Sequence, residues 1–334
     1  MKKVSFVIPC YRSAQTLPHV VREIDDTMSS MKEYCYEIIM VNDCSPDDTF
    51  AVIEQLCAEQ KGSSKAERKG INLAKNFGQH SALMAGFHYV TGDIVVCLDD
   101  DGQTPANEVG KLLDGIEQGS DVVYARYAHK HHSGFRNWGS HVNELMTRVM
   151  LGKPKGLYIS SYFAARRFVV EEMCRYTYAF PYVIGLVLRT TKNITNVDVN
   201  HRDREAGASG YTLGKLLNLW FNGFTAFSVK PLRIATATGT ICAIAGFLYG
   251  IYTIIKKLCF NPPGLVTGFS ALMSMLVFMG GMLMLMLGLV GEYIGRMYVS
   301  MNNSPQYVIR QTTFDVIDAG QNTVQESEST KAGE

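Results

Sequence analysis

Val95-Val96-Cys97-Leu98-Asp99-Asp100-Asp101-Gly102-Gln103-Thr104-Pro105 is the stretch on which the fold of this chain turns. An apolar, β-branched run stops at three carboxylates and then bends at Gly102 and Pro105. That pattern predicts a buried strand with acidic groups at its C-terminal tip, where open α/β sheets place their ligands. Asp99 and Asp101 are two residues apart on an extended backbone, so their carboxylates can point the same way. Two hard oxygen ligands suit Mg²⁺ or Mn²⁺ carrying a phosphate. The same residues also suit a polar turn, or a helix cap at Thr104, and the rest of the chain has to decide.

Working outward, short apolar strands alternate with amphipathic runs. Val4–Ile8 reads as a strand ended by Pro9, and Leu17–Met31 as a helix with Leu17, Val20, Val21, Ile24 and Met28 on one face. Tyr36–Val41 is a second strand, closing on Asn42-Asp43-Cys44-Ser45-Pro46-Asp47-Asp48, whose polar cluster caps a helix over 49–59. A polar loop is expected over 62–69. A short strand at Ile71–Leu73, a helix through Ala82, Ala85 and Phe87, and strands at Asp93–Leu98, Asp121–Tyr124 and Asn193–Val199 follow. Such alternation predicts an α/β fold with a doubly wound, mostly parallel sheet. Asp43 and the Asp99–Asp101 cluster then share one crevice. Neither G-x-G-x-x-G after the first strand nor G-x-x-x-x-G-K-[ST] occurs, which excludes the dinucleotide and P-loop readings.

The second half changes character. No charge interrupts Ile234–Ile255 or Gly264–Gly291, each long enough to cross a bilayer, and Lys256-Lys257 and Asn261-Pro262-Pro263-Gly264 lie between them. A membrane hairpin is predicted, with spans at about 234–255 and 268–290. Leu213, Leu216, Leu217, Trp220, Phe221 and Phe224 fall at helical spacing beside it, which suits an interfacial helix or a helix packed on the soluble domain. The apolar run after Met1 is too short for a signal-peptide core, so the first domain is expected in the cytoplasm. A hairpin returns the tail to that side, and Arg202, Arg204, Lys215, Lys230, Arg233, Arg296 and Arg310 agree with positive-inside orientation, weakened by Lys256 and Lys257. The expected division is 1–211 catalytic, 212–230 interfacial, 231–292 hairpin, and 293–334 a cytoplasmic segment whose polar tail after about Thr313 is disordered.

A net charge of +1 gives no reason to expect nucleic acid. Eight cysteines without C-x-x-C pairing read as reduced thiols. Arg126, His129, Lys130, His131, His132 and Arg136 make a basic loop suited to an anionic ligand more than to a metal. One explanation joins the acidic crevice, the basic loop and the hairpin. A metal neutralises the pyrophosphate of a nucleotide-sugar donor, and arginines hold a lipid phosphate whose tail lies in the bilayer.

The chain resembles the family 2 glycosyltransferases of GT-A fold, in their polyprenyl-phosphate branch. The carriers are Val7-Ile8-Pro9-Cys10-Tyr11, Val41-Asn42-Asp43, Lys75 through Gly86, Leu98 through Pro105, Pro231-Leu232-Arg233 and Gly291 through Arg296. The resemblance implies that Asp99, Asp101 and Gln103 hold the divalent metal. It implies that Pro9, Tyr11 and Asp43 line the nucleotide base and ribose pocket and that Asn76 also binds the donor. Asp100 is either solvent-facing or a donor-sugar contact. Arg126, Arg136 and Ser140 fall at the acceptor phosphate, and Arg204 closes over the phosphates. By the same resemblance the donor is a nucleotide sugar with uridine favoured, the acceptor is polyprenyl phosphate, and the assembly is a homo-oligomer, a tetramer, in the inner membrane.

Three departures stand out: Arg12-Ser13 where relatives carry Asn-Glu, Ser209-Gly210-Tyr211 where they often carry Ser-Lys-Tyr, and no acid near Ser160–Phe163. A phosphate monoester, with its second pKa at about 6, is already largely dianionic and needs no general base. It needs orientation and charge balance, so single displacement with inversion is expected. A processive synthase is disfavoured because Gln-x-x-Arg-Trp is absent: the two tryptophans follow Asn137 and Leu219. A transferase acting on a sugar acceptor, and an inactive membrane-anchored scaffold, remain the alternatives.

Overall fold

The computed structural model describes residues 1–59, 66–127, 153–200, 268–302 and 304–314, with scattered helical positions between 237 and 259. Eight strands form one sheet: β1 (Lys2–Cys10), β2 (Tyr34–Asn42), β3 (Ala66–Leu73), β4 (Ile94–Cys97), β5 (Val122–Tyr127), β6 (Phe163–Arg166), β7 (Ile194–Val199) and β8 (Ile309–Thr312). Their spatial order is β7-β5-β6-β4-β1-β2-β3-β8. The central strands β4, β1, β2 and β3 run parallel, and β5 pairs parallel with β7. Burial on both faces explains why β4 reads as an unbroken apolar run and why the buried parts of β1 and β2 are apolar but for Ser5, Glu37 and Asn42.

Helices α1 (Leu17–Ser30), α2 (Thr49–Glu59), α3 (Gln79–Phe87), α4 (Val109–Glu117), α5 (Arg167–Cys174) and α6 (Val183–Thr190) cover the sheet. The buried face of α1 is Leu17, Val20, Val21, Ile24 and Met28, the stripe its spacing predicts. One core packs α1 and α4 against the sheet, and the other packs α3, α5 and α6 on the opposite face. At Gly86 an added Cβ would lie 2.5 Å from Val7 Cγ1, so α3 sits on β1 only because that residue is glycine.

Three elements depart from the sequence expectation. The described part of the 62–69 loop is strand, because the charges of β3 are paired: Lys69 Nζ lies 2.9 Å from Glu37 and Arg68 bonds Asp25. Phe163–Arg166 enters antiparallel between β4 and β5, and β8 adds antiparallel outside β3, so three of the seven pairings are antiparallel. Neither short strand has an alternation to announce it. The predicted interfacial helix and the polar tail from 315 onward lie outside the described residues.

A long helix, α7, spans Gly268–Met301, and its window Phe278–Gly295 is long and apolar enough to cross a membrane, with none of that window buried. The described positions between 237 and 259 are all helical. An added Cβ at Gly239 would lie 3.0 Å from Met286 Cε, which sets that segment beside α7. The turn expected at Asn261–Gly264 lies midway between those two residues in the sequence.

Candidate active site

Parallel pairing brings the ends of β1, β2 and β4 to one edge: Cys10 is level with Asn42, and Val7 with Cys97. The chain leaving each strand there supplies one wall of a crevice of about 350 Å³. It is lined by Pro9, Cys10, Tyr11, Asp43, Asn76, Gly78, Gln79, Asp99, Asp100 and Asp101. Residues from four stretches separated in sequence thus meet as the strand-end rule requires. Seven of the eight sequence-predicted donor and metal residues, all but Gln103, line this one space.

Asp43 is 4% exposed and has both oxygens engaged, Oδ1 by the Phe77 amide at 2.7 Å and Oδ2 by the Gly78 amide at 2.8 Å. Burial raises its pKa and the two amides oppose that. Asp43 therefore braces the turn into α3, and each oxygen keeps a lone pair toward the crevice. Gly78 sits at φ 89 and ψ 159, a region open essentially to glycine alone. Asn76 donates to the Asp43 carbonyl at 3.3 Å.

Asp99 accepts from Gln79 Nε2 at 2.9 Å and from the Ser161 hydroxyl. Burial pushes its carboxyl up to about 6, Asp101 and Asp100 push the same way, and the Ser161 and Gln79 donors only partly offset this. Asp101 Oδ1 accepts from the Gln103 amide at 3.1 Å, which folds the turn after the motif. Gln103 itself is not among the crevice-lining residues.

Asp100 lines the crevice and has a partner that neither role weighed from sequence names. Its Oδ2 accepts from the Tyr11 amide at 2.9 Å, tying the acidic motif to the loop after β1. In that loop Arg12 has φ 59, and its guanidinium stacks over the Tyr11 ring at 5.5 Å. Non-glycine residues in this conformation are uncommon and cluster at functional sites.

Arg126 is not in the crevice. It lies on β5, half exposed, in a two-point pair with Asp198 on β7 at 2.6 and 2.9 Å. The Asp198 match, 72 residues on in sequence, is set only by strand pairing. Arg136, Ser140 and Arg204 lie outside the described residues. Sequence reasoning missed Gln79, Gly78 and Ser161. The first two sit inside the quoted Lys75–Gly86 run, and Ser161 occupies the region remarked on only for lacking an acid.

Among the described residues no three His, Cys, Asp or Glu side chains converge as a metal cage. What the crevice offers is a pair of hard carboxylates, Asp99 and Asp101, carrying like-charge repulsion. That donor set fits a divalent cation whose other ligands come from a phosphorylated substrate. The seven described cysteines are free thiols.

A mostly parallel sheet with this carboxylate crevice at its edge agrees with the GT-A fold that the resemblance implies. The chain belongs to glycosyl transferase family 2, whose sequence profile matches residues 5–174, and the profile described as the GtrB C-terminal hairpin matches residues 230–297. Curated relatives are similar end to end. The undecaprenyl-phosphate 4-deoxy-4-formamido-L-arabinose transferase of Photorhabdus laumondii is 33% identical over 317 residues, covering 94% of this chain and 95% of its own. The protein of the same name from Serratia proteamaculans is 34% identical, over 93% and 94%. Among solved structures, mannosyl-3-phosphoglycerate synthase from Rubrobacter xylanophilus aligns at a TM-score of 0.48 and 19% identity over 70% of this chain and 74% of that one.

Proposed function

We propose that this protein transfers a sugar from a nucleotide-diphosphate sugar to a polyprenyl phosphate at the membrane, for cell-envelope modification. The observation that supports it most is end-to-end similarity to undecaprenyl-phosphate sugar transferases, in a chain whose crevice gathers Asp43, Asn76, Asp99 and Asp101.

In this reading Pro9, Tyr11, Asp43 and Asn76 bind the nucleotide, with uridine favoured. Asp99 and Asp101, helped by Gln103, hold Mg²⁺ or Mn²⁺. The bound ion supplies charge neutralisation of the donor pyrophosphate. Gln79 and Ser161 keep the Asp99 carboxylate aimed at the donor side. Asp100 fixes the Tyr11 backbone and thereby the nucleotide wall. Arg126, Arg136 and Ser140 receive the acceptor phosphate, and Arg126 exchanges Asp198 for it or holds it beside that carboxylate. Arg204 balances charge as the donor bond breaks. The acceptor oxygen is already ionised, so no general base is needed, and Ser161 in place of an acid is compatible with that. The displacement is single and inverting.

Membrane placement in this reading is supported by α7 and the helical segment beside it, taken as a two-span hairpin flanked by an interfacial helix over 212–230. The catalytic domain and both termini then face the cytoplasm at the inner membrane. Gly280, Gly281 and Gly288 leave open space on α7 for close helix contact, which suits a tetramer.

The test is incubation of the full chain with a panel of radiolabelled nucleotide sugars and polyprenyl phosphate, with and without EDTA. Label entering organic-extractable lipid only with metal is expected. Transfer to a sugar acceptor in preference to lipid phosphate, or no metal-dependent transfer at all, would remove the proposal.

A further inference from the structure

The chain that leaves α7 returns to the catalytic domain at a telling place. β8 pairs antiparallel with β3, with Ile309 opposite Leu73, and the Ala74 amide donates to the Val308 carbonyl at 2.8 Å. Ala74 is two residues before Asn76 of the crevice. The strap from α7 therefore enters at the crevice edge of the sheet and runs away from it.

Just before β8, Gln306 is buried and donates its side-chain amide to the carbonyls of Tyr176 and Tyr178, at 3.1 and 3.0 Å. This pins the loop between α5 and α6 to the strap. The other end of that loop is pinned to α3, where the Tyr182 ring meets His80 edge-on at 5.1 Å, one residue past crevice residue Gln79. Gln306 is five positions after Met301 at the end of α7, so it lies within at most about 18 Å of that end, and the loop is hydrogen-bonded to it. Held there, Tyr178 is 56% exposed, Phe180 45% and Val308 42%. The last turns of α7 leading to it expose Met297 and Tyr298.

Aromatic side chains of this kind collect at the bilayer interface, where an apolar ring and a polar tip are both satisfied. Phe168, the other exposed aromatic of the α5–α6 region, is the contrast. It begins α5, where the Arg167 amide bonds the Asp93 carbonyl before β4, at the opposite edge. Tethering thus separates two similar exposures, and only one sits at the crevice edge.

We propose that loop 176–182, with Val308, is a membrane-contacting surface that seats on the interfacial layer of a phospholipid bilayer and turns the crevice toward it. It rests on the membrane reading of α7, and the experiment keeps the two apart. The full chain, with Trp138→Phe and Trp220→Phe, receives one tryptophan at a time as Tyr178→Trp, Leu283→Trp or Phe168→Trp. Each is reconstituted in phosphatidylcholine/phosphatidylglycerol vesicles with and without brominated acyl chains. Bromolipid is expected to quench Leu283→Trp strongly, Tyr178→Trp by about half as an interfacial aromatic, and Phe168→Trp little. Leu283→Trp quenched with Tyr178→Trp as bright as Phe168→Trp overturns the surface and leaves α7 in the membrane. Leu283→Trp unquenched overturns both. Phe180→Trp replaces Tyr178→Trp should that variant misfold, with the same outcomes.

Discussion

Glu37 on β2 and Asp99 just past the end of β4 are carboxylates of one mostly parallel sheet, and their surroundings are opposite. Glu37 is fully buried and receives the Ser5 hydroxyl at 2.5 Å, the Thr91 amide at 2.6 Å and hydroxyl at 2.9 Å, and Lys69 at 2.9 Å, with Lys3 at 3.2 Å. Burial alone would raise its pKa, but the Ser5 and Lys69 contacts and the Thr91 amide outweigh it and hold the carboxyl at about 2. Asp99 has two donors and two neighbouring acids, and is pushed up to about 6. A charge that serves the fold is compensated within the fold. One that serves a ligand is left short of countercharge until the ligand arrives.

The sharpest break of this contrast is Asp101→Ala. Removing one of the two carboxylates should lower transfer by at least about a hundredfold, the scale of losing a preorganised charge contact, as read in the radiolabel assay. Unchanged transfer would mean the carboxylate pair is not the metal site.

Glu37→Ala should do the converse, leaving the chemistry and weakening the fold. It leaves Lys69, with only 11% of its side chain exposed, the longer pair with Glu67 at 3.4 Å, and removing one partner of a fully buried pair costs at most about 3–5 kcal/mol. Thermal unfolding of the detergent-solubilised chain should show it, with transfer intact well below the transition. The pH dependence has a definite sign. The folded pKa of Glu37 lies below its ordinary value of 4.5, so its stabilisation is present above pH about 4.5 and is lost as pH falls toward 2. Glu37→Gln should flatten that acid slope.

Asp100→Ala tests the brace between the motif and Tyr11. It should raise the donor KM by about tenfold, one lost charge-assisted hydrogen bond, while Mn²⁺ affinity measured by EPR stays as in the parent. A fall in metal affinity instead would place Asp100 among the ligands. Smallest is Ser161→Ala. Its hydroxyl favours ionised Asp99, so its loss should move the acid limb of kcat/KM to higher pH, by less than about one unit.

Much of this was legible in the chain. The face of α1, the bounds of α2 and the central strands follow from periodicity and capping, because local burial patterns repeat at fixed intervals. The meeting of Asp43 with Asp99–Asp101 follows from parallel order, since such strands end at one edge. What stayed hidden depends on partners far away in sequence. Ala66–Lys69 reads as a polar loop until Glu37 pairs its lysine. The tie between Asp100 and the Tyr11 amide joins residues 89 apart and has no local signal. Arg126 reads as free for phosphate until β7 presents Asp198.

By itself, then, the sequence determined the α/β class, the acidic tip of β4, the long apolar segments and the family, all carried by local pattern and contiguous motifs. Only the tertiary structure decided which carboxylates are compensated and which are not. It alone also brought the strap after α7 back to the crevice edge of β3. Charge balance and register are sums over neighbours that one strand cannot know, and folding supplies those neighbours.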